Sequence, residues 1–372
     1  MPENGDEMKH RNRVGKYSVD SVHSGRKLWP VWQVALIDAL VVGVVLLVFA
    51  FFHHVLPALI SQSERNAALE QNPPVVTESV ETEAPTEVTQ TSESFAENVP
   101  EETVDPNLTP WQIKFADQFS DEVVLTENSY KSPNISVTVE TITKGEGDQQ
   151  QTYHVADIYI ASIENFTTYT ANGEMRYFAT QDVLEMNEAS NAILSISGDF
   201  LTYQKQGFLM RNGEIYRETT NNVNICALFS DGTIETYEAR EFDIADIKNR
   251  GALQVWSFGP VLLDENGHAK DDYLMSHAVS MTNPRSAIGY YEPGHYCFVV
   301  VDGRQAGYSK GMSIPELAAV FEELGCTKAY NLDGGGSAVM VFNHERYSKQ
   351  SNGGDRALGD ILLIREVQEV VQ

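Results

Sequence analysis

Residues 331–337 read Asn331-Leu332-Asp333-Gly334-Gly335-Gly336-Ser337, and the rest of the chain is organised around them. Three successive glycines beside apolar residues are unfavourable, each by about 0.5–1 kcal/mol relative to alanine in a regular element. The run predicts positive φ angles or a backbone that something must approach closely. Strand-like stretches flank it, Lys328-Ala329-Tyr330 before and Ala338 to Phe342 after. A carboxylate at a strand end, then free N–H groups, then a hydroxyl, suits a turn that cradles an anion. The same residues would also serve as a plain tight turn between two strands.

Upstream of this loop lies the clearest helix signal in the chain. Ser313 and Glu316 form a capping box, and Pro315 is allowed in a first turn. Ile314, Leu317, Ala318, Phe321 and Leu324 recur at helical spacing, and Gly325 ends the helix. A hairpin precedes it, Ser286 to Tyr291 and Tyr296 to Val301 about the turn Glu292-Pro293-Gly294. Two further hairpins are expected at Asn212-Gly213 and Asp231-Gly232. Another spans Ile135 to Ile163 across Gly145-Glu146-Gly147-Asp148, with a short helix at 181–190 and strands at 192–196 and 261–263. The reading is α+β, a strand-dominated mixed domain with few helices.

Five motifs of one character stand at expected strand ends. They are Ser197-Gly198-Asp199-Phe200, Ser257-Phe258-Gly259-Pro260, Asn283-Pro284-Arg285-Ser286, Asp302-Gly303-Arg304 and the Asp333 loop. Loops held by a rigid scaffold are where chemistry is presented. Together they offer three carboxylates, two guanidiniums and a glycine-lined turn, a set suited to a phosphorylated sugar. Arg285 and Arg304 would grip a phosphodiester through planar forks. Gly334, Gly335 and Gly336 would offer backbone N–H groups, with Ser337 and Ser197 beside them. Asp333, Asp302 and Asp199 are the candidate catalytic carboxylates, holding sugar hydroxyls or acting at the anomeric carbon. Each has a structural alternative: Asp333 and Asp199 as caps, Asp302 and Arg304 as a self-paired turn, Arg285 in an ion pair with a buried acid. This chemistry requires no cofactor. Grouped carboxylates could hold Ca²⁺ or Mg²⁺, although no EF-hand spacing occurs, and the histidines show no metal-ligand spacing.

The amino-terminal third has a different character. Residues 31–52 form a mostly apolar run long enough to cross a bilayer, in which Asp38 is the one ionised group. Lys9, Arg11, Arg13, Lys16, Arg26 and Lys27 precede it, and Arg65 is the next cationic residue. The positive-inside rule places the amino terminus in the cytoplasm and the remainder outside. The expected organisation is a cytoplasmic tail (1–30), a transmembrane signal anchor (31–53) and a disordered acidic stalk (54–110). A β-rich lobe (111–189) and the main domain (190–368) follow, extracytoplasmic at the cell membrane. Residues 61–110 carry eleven acidic residues against Arg65 alone, a composition that cannot bury enough apolar surface to order itself. The whole chain has 26 basic and 53 acidic residues, a formal charge of −27. So acidic a chain lacks the basic footprint of a nucleic-acid binder. Three cysteines, Cys226, Cys297 and Cys326, exclude a disulfide scaffold and leave open whether Cys297 and Cys326 are bridged.

Taken in order, the stretches SGDF, SFGPVLLDENG, NPRSAIGYYEPGHYCFVVVDGR, GMSIPELAAVFEELGCTKAYNLDGGGSAVMV and NGGDRALGDILLI resemble the phosphodiester glycosidase family. The resemblance covers about residues 190–366. It implies hydrolysis of the glycosidic bond of a sugar-1-phosphodiester. With one span and an outer domain, the chain is similar to bacterial members labelled exopolysaccharide-related, which implies an envelope or extracellular glycan as partner. Many members carry Asn where this chain has Ser197, which removes an amide that could bind a sugar hydroxyl. Two other readings stay open: a transferase attaching glycopolymers through phosphodiesters, and a non-catalytic envelope glycan-binding protein.

Overall fold

The structure is a computed structural model. It describes residues 108–367 except 202, 220, 221, 352, 353 and 355. The expected cytoplasmic tail, the signal anchor and nearly all of the acidic stalk lie outside the described residues. Within the described residues no helix is long and apolar enough to cross a membrane.

Strands dominate and the helices are few and short, so this part is α+β. A seven-stranded antiparallel sheet forms the frame. Its spatial order is Val124–Leu125, Ser129–Lys131, Ile135–Lys144, Gln151–Ile160, His295–Val301, Arg285–Glu292 and Lys328–Asn331. Both faces are buried at its centre, and the side-chain period of two sorts one strand between two cores. Tyr296, Phe298 and Val300 enter the larger core, while Cys297, Val299 and Val301 enter the other. The helix Ile314–Glu323 covers this second core with Ile314, Leu317, Ala318 and Phe321. Its capping box forms as the sequence predicts, and Gly325 takes up φ +78° just past its end.

The larger core joins this sheet to two five-stranded sheets. One runs Ile234–Tyr237, Ile225–Phe229, Ala252–Trp256, Phe208–Arg211, Glu214–Glu218 and holds both expected hairpin turns. The other runs Glu345–Arg346, Met340–Phe342, Leu194–Ser197, Asp360–Ile364, Phe166–Thr170. The strand Gln151–Ile160 pairs directly with His295–Val301, and Phe166–Thr170 with Asp360–Ile364. Strands from either side of residue 190 therefore interleave in shared sheets. The expected strand at 261–263 reduces to isolated bridges, Val261 to Tyr330 and Leu263 to Ala269. Pro260 before it has no N–H to extend a ladder. The capped turn of helix at Pro110–Lys114 went unanticipated.

Cys297 and Cys326 are buried free thiols whose sulfurs lie 3.5 Å apart, so the bridge left open by the sequence is absent. Gly289, on the neighbouring strand, makes room for them. A Cβ there would meet Cys297 Sγ at 2.6 Å, Cys326 Sγ at 2.8 Å and the Phe321 ring at 2.8 Å. Gly289→Ala is expected to destabilise the protein by about 1–3 kcal/mol, the usual scale of core overpacking. Urea unfolding would read this as a lower midpoint, and an unchanged midpoint would mean that the sulfurs yield freely.

Candidate active site

Two adjacent strand ends and the Asp333 loop meet at one point. Gly198, just past the strand Leu194–Ser197, donates its N–H to the Asp360 carbonyl at 3.2 Å and accepts from Asp333 N–H at 3.1 Å. No side chain fits there, because a Cβ on Gly198 would lie 2.1 Å from Asp360 Oδ1. Ser197 is fully buried and donates its hydroxyl to the Asp333 carbonyl at 3.1 Å. It fixes the backbone of Asp333.

Beneath this junction lies Arg211, at the end of the strand Phe208–Arg211. Its Nε bonds Asp360 Oδ2 at 2.8 Å, and its Nη2 lies 2.9 Å from Asp199 Oδ1. Its Nη1 donates to the carbonyls of Met210 and Val255. All three ionised side chains are at most 1% exposed. Asp199 also accepts from Ser257 N–H at 3.0 Å, which ties in the second of the five motifs. Burial opposes the charge on Arg211, but Asp199 and Asp360 outweigh it and raise its pKa. Asp360 differs: burial, with Asp199 and Asp333 adding to it, pushes its carboxyl up to about 7 against the pull of Arg211. Its Oδ1 finds no hydrogen-bond partner among the described residues.

Asp333 lies nearer the surface, its side chain 11% exposed. Its Oδ2 accepts from Ser337 Oγ at 2.8 Å and from Arg356 Nη2. Arg356 Nε bonds the same Ser337 hydroxyl at 2.9 Å, and its guanidinium is half-exposed. Burial, with Asp199 nearby, raises the Asp333 carboxyl above its ordinary value, while Arg356 and Ser337 draw it down. The glycine turn brings a second guanidinium to the same place. A Cβ on Gly335 would lie 3.0 Å from Arg304 Nη2, and one on Gly336 would lie 3.8 Å from Arg356 Cβ. Gly334 packs on the Pro284 carbonyl, which also accepts from Gly335 N–H at 2.8 Å. Arg304 itself takes φ +59°, rare for a residue with a side chain. It donates to Asn283 Oδ1 at 2.8 Å.

Of the residues expected from the sequence, Asp333, Asp199, Ser197, Ser337, Arg304 and the three glycines come together. Two do not present their charged groups there. Arg285 is 3% exposed and donates to the carbonyls of Met312, Val279 and Met281. Burial, with the charge of Arg304, brings its pKa down to about 10. With Nε and Nη2 committed to three backbone carbonyls, Arg285 braces the loop that leads into its strand. Asp302 is 2% exposed, with both oxygens engaged. Its Oδ2 meets His154 Nε2 at 3.0 Å and Tyr308 OH at 2.8 Å, and its Oδ1 accepts from Lys349 N–H at 2.9 Å. It knots a hairpin to a neighbouring strand and to the chain near Ser348.

Arg211, Arg356 and Asp360 went unassigned in the sequence. Arg356 and Asp360 lie in the tail stretch that carries the family resemblance, where only NGGDR-ALGD could have drawn attention to them. Arg211 ends an ordinary strand, and its role comes only from the tertiary contacts. Among the described residues no group of three or more His, Cys, Asp or Glu is arranged to hold a metal ion. The arrangement offers a carboxylate paired with one half-exposed guanidinium, with a second guanidinium lying against the adjoining glycine turn. Such a site can bind an anionic group and present a carboxylate to the carbon attached to it.

Residues 190–365 match the family model described as phosphodiester glycosidase. A prophage-derived uncharacterised protein of Bacillus subtilis, YomE, is 28% identical over 197 residues, covering 50% of this chain and 30% of its own length. The N-acetylglucosamine-1-phosphodiester alpha-N-acetylglucosaminidase of Bos taurus is 27% identical over 124 residues, covering 30% of this chain and 23% of its own. The chain thus spans less than a third of either curated relative. The solved catalytic domain of the zebrafish enzyme of that name, described as auto-inhibited by its pro-peptide, superposes with a TM-score of 0.54 at 20% identity. That match covers 66% of this chain and 88% of the other, and it shows a shared fold.

Arg211→Met should cost about 3–5 kcal/mol, because two buried carboxylates lose their cation; thermal or urea unfolding checks it. A second expectation concerns pH. Asp360 titrates near 3.8 when unfolded and near 7 when folded, so the folded state binds more protons between those values. The stability contributed by this group is complete below pH 3.8 and is lost as pH rises through 7. Urea unfolding from pH 4 to 8 should show this fall in the wild type and a flatter profile in Asp360→Asn.

Proposed function

We propose that residues 190–365, which match the phosphodiester glycosidase family, act as a hydrolase on the glycosidic bond of a sugar-1-phosphodiester. The observation that carries this reading is Asp333, paired with the half-exposed Arg356 beside a glycine turn against which Arg304 also lies. The guanidiniums receive the phosphodiester through planar forks, for which lysine is a poor replacement. Asp333 acts at the anomeric carbon, as nucleophile or as base for water. The bond from that carbon to the phosphate oxygen breaks, and its electron pair leaves with the phosphate. Water supplies the hydroxyl of the released sugar. A phosphate ester is a good leaving group whose charge the arginines already balance, so the reaction calls for no strong acid opposite Asp333. Asp199, locked to Arg211, supports the loop and tunes Asp333 through its charge.

The name of the bovine relative specifies an N-acetylglucosamine-1-phosphodiester. We carry over the reaction class and leave the sugar open. The target we favour is an envelope or extracellular glycan with sugar-phosphate linkages. The cationic flank, the apolar run at 31–52 and the acidic stretch after it support a single-pass anchor with the domain held outside the cell membrane. This placement concerns residues outside those described.

The test uses the full chain, purified in detergent, on a panel of sugar-1-phosphodiesters with aryl glycosides in parallel. Free sugar should appear from the phosphodiesters and fall by about 10²–10⁴-fold in Asp333→Asn. A folded protein that binds glycans without turnover would favour the binding-protein reading instead. Because burial raises the Asp333 carboxyl, the acid limb of kcat/KM should lie above the ordinary aspartate value. Arg356 draws that carboxyl down, so Arg356→Met should move the limb further up, as a pH–rate profile would show.

A further inference from the structure

The catalytic carboxylate is the first of a row of groups. Arg356 bonds Asp333 at one end, and its guanidinium carbon lies 5.2 Å from the centroid of the Phe200 ring. The Tyr203 ring stacks on Phe200 at 4.8 Å, and Phe178 meets Tyr203 edge-on at 6.1 Å. Tyr203 is 43% exposed and Phe178 47%. Exposed aromatic rings grouped beside a polar site usually mark a ligand surface.

The row is held in place. Arg217 is buried and donates to the carbonyls of Gly207 and Gln204, pinning the loop after Tyr203. The loop bearing Phe178 is closed at its base by Gln181 Oε1, which accepts from Asn172 N–H at 2.8 Å. It is tied to the Asp360 strand through Ala171 N–H to the Gly359 carbonyl, also at 2.8 Å. Phe178 takes φ +62°, a conformation strained for a bulky side chain and one that persists where the surroundings or a function demand it. The strain holds an apolar ring out in solvent, where it adds nothing to a core.

We propose that Tyr203 and Phe178 form an outer subsite that stacks on carbohydrate units beyond the one bonded to the phosphate, so that the enzyme acts on chains in preference to isolated phosphodiesters. This rests on the proposed reaction. Asp333 faces the anomeric carbon and Arg356 the phosphate, so the rings beyond Arg356 lie on the leaving-group side. Sugar rings present faces of C–H groups that pack against aromatic rings, and the two exposed rings stand about one sugar unit apart. Their edge-on arrangement fits successive rings of a turning chain better than a flat aglycone or a straight alkyl tail.

The test measures kcat/KM of the full chain on glycosyl-1-phosphodiesters whose leaving group is one, two or three glucose units, in a maltose and a cellobiose series. An n-dodecyl phosphodiester serves as the apolar comparison. The expected result is a rise of about tenfold from one to two or three units in at least one series, appearing in KM. Tyr203→Ala and Phe178→Ala should abolish that rise, whereas Leu274→Ala, an exposed apolar residue elsewhere, should keep it. No rise with length in either series, a rise that both variants retain, or a stronger preference for the dodecyl ester would overturn the subsite. Calorimetric binding of glucose 6-phosphate and of the maltose and cellobiose 6-phosphates separates this proposal from the reaction on which it rests. Tighter binding of the longer phosphates, lost in the two variants, supports the subsite even where no sugar is released. Equal binding at every length, without turnover, overturns both.

Discussion

The site depends on one guanidinium shared by two buried carboxylates. Arg211 comes from one five-stranded sheet, Asp360 opens a central strand of another, and Asp199 lies just past the strand beside it. Removing three charges from water is strongly unfavourable, and only close pairing with good geometry offsets it. Arg211 answers with a hydrogen-bonded ion pair to Asp360, a close charge contact with Asp199 and two bonds to backbone carbonyls. The sheets are thereby locked in register where they meet. Gly198 can pass only because it has no side chain to press on Asp360. Through Gly198 the lock reaches Asp333, which donates its backbone N–H to the Gly198 carbonyl.

A carboxylate prepared in this way has opposing influences on its charge. Desolvation and the nearby Asp199 favour the neutral form of Asp333, while Arg356 and Ser337 favour the anion. If Arg356 turned to an incoming phosphate, the restraint on Asp333 would weaken as the substrate arrived. The carboxylate would become more basic at the moment it was needed. A single residue would then both hold the anion and tune its neighbour, because the Arg356 guanidinium touches both Asp333 and the Ser337 hydroxyl that bonds it.

Much of the frame was legible because local signals agreed with tertiary demands. The capping box at Ser313 and Glu316, the Asn-Gly and Asp-Gly turns, and the alternation through His295–Val301 each specify an element by themselves. The glycine run has a plain packing reason at its first position, since the backbone at Gly334 has to fit against Pro284. Side-chain roles were less legible. A Pro-Arg before a strand reads as a ligand grip, yet the Arg285 guanidinium folds back onto carbonyls of its own loop and of Met312. Asp302 and Arg304 read as neighbouring site groups or as a self-paired turn, yet one turns to His154 and Tyr308 and the other to Asn283. Spacing along the chain does not report which way a strand-end side chain turns, because that is settled by carbonyls and rings contributed from elsewhere.

The same physical dependence makes the least visible residues matter most. Arg211 sits in Phe208-Leu209-Met210-Arg211 before an Asn-Gly turn, where a terminal arginine ordinarily points to solvent. It points inward because Asp360 and Asp199 are already there, one at the start of a strand and the other at the end of its neighbour. Any one of these charges alone would be untenable in the interior. Their mutual dependence means that none carries a local signature, and that substitution of any one changes the state of the others. Asp360, with one oxygen unpaired and its carboxyl raised towards neutrality, is where that balance is least complete.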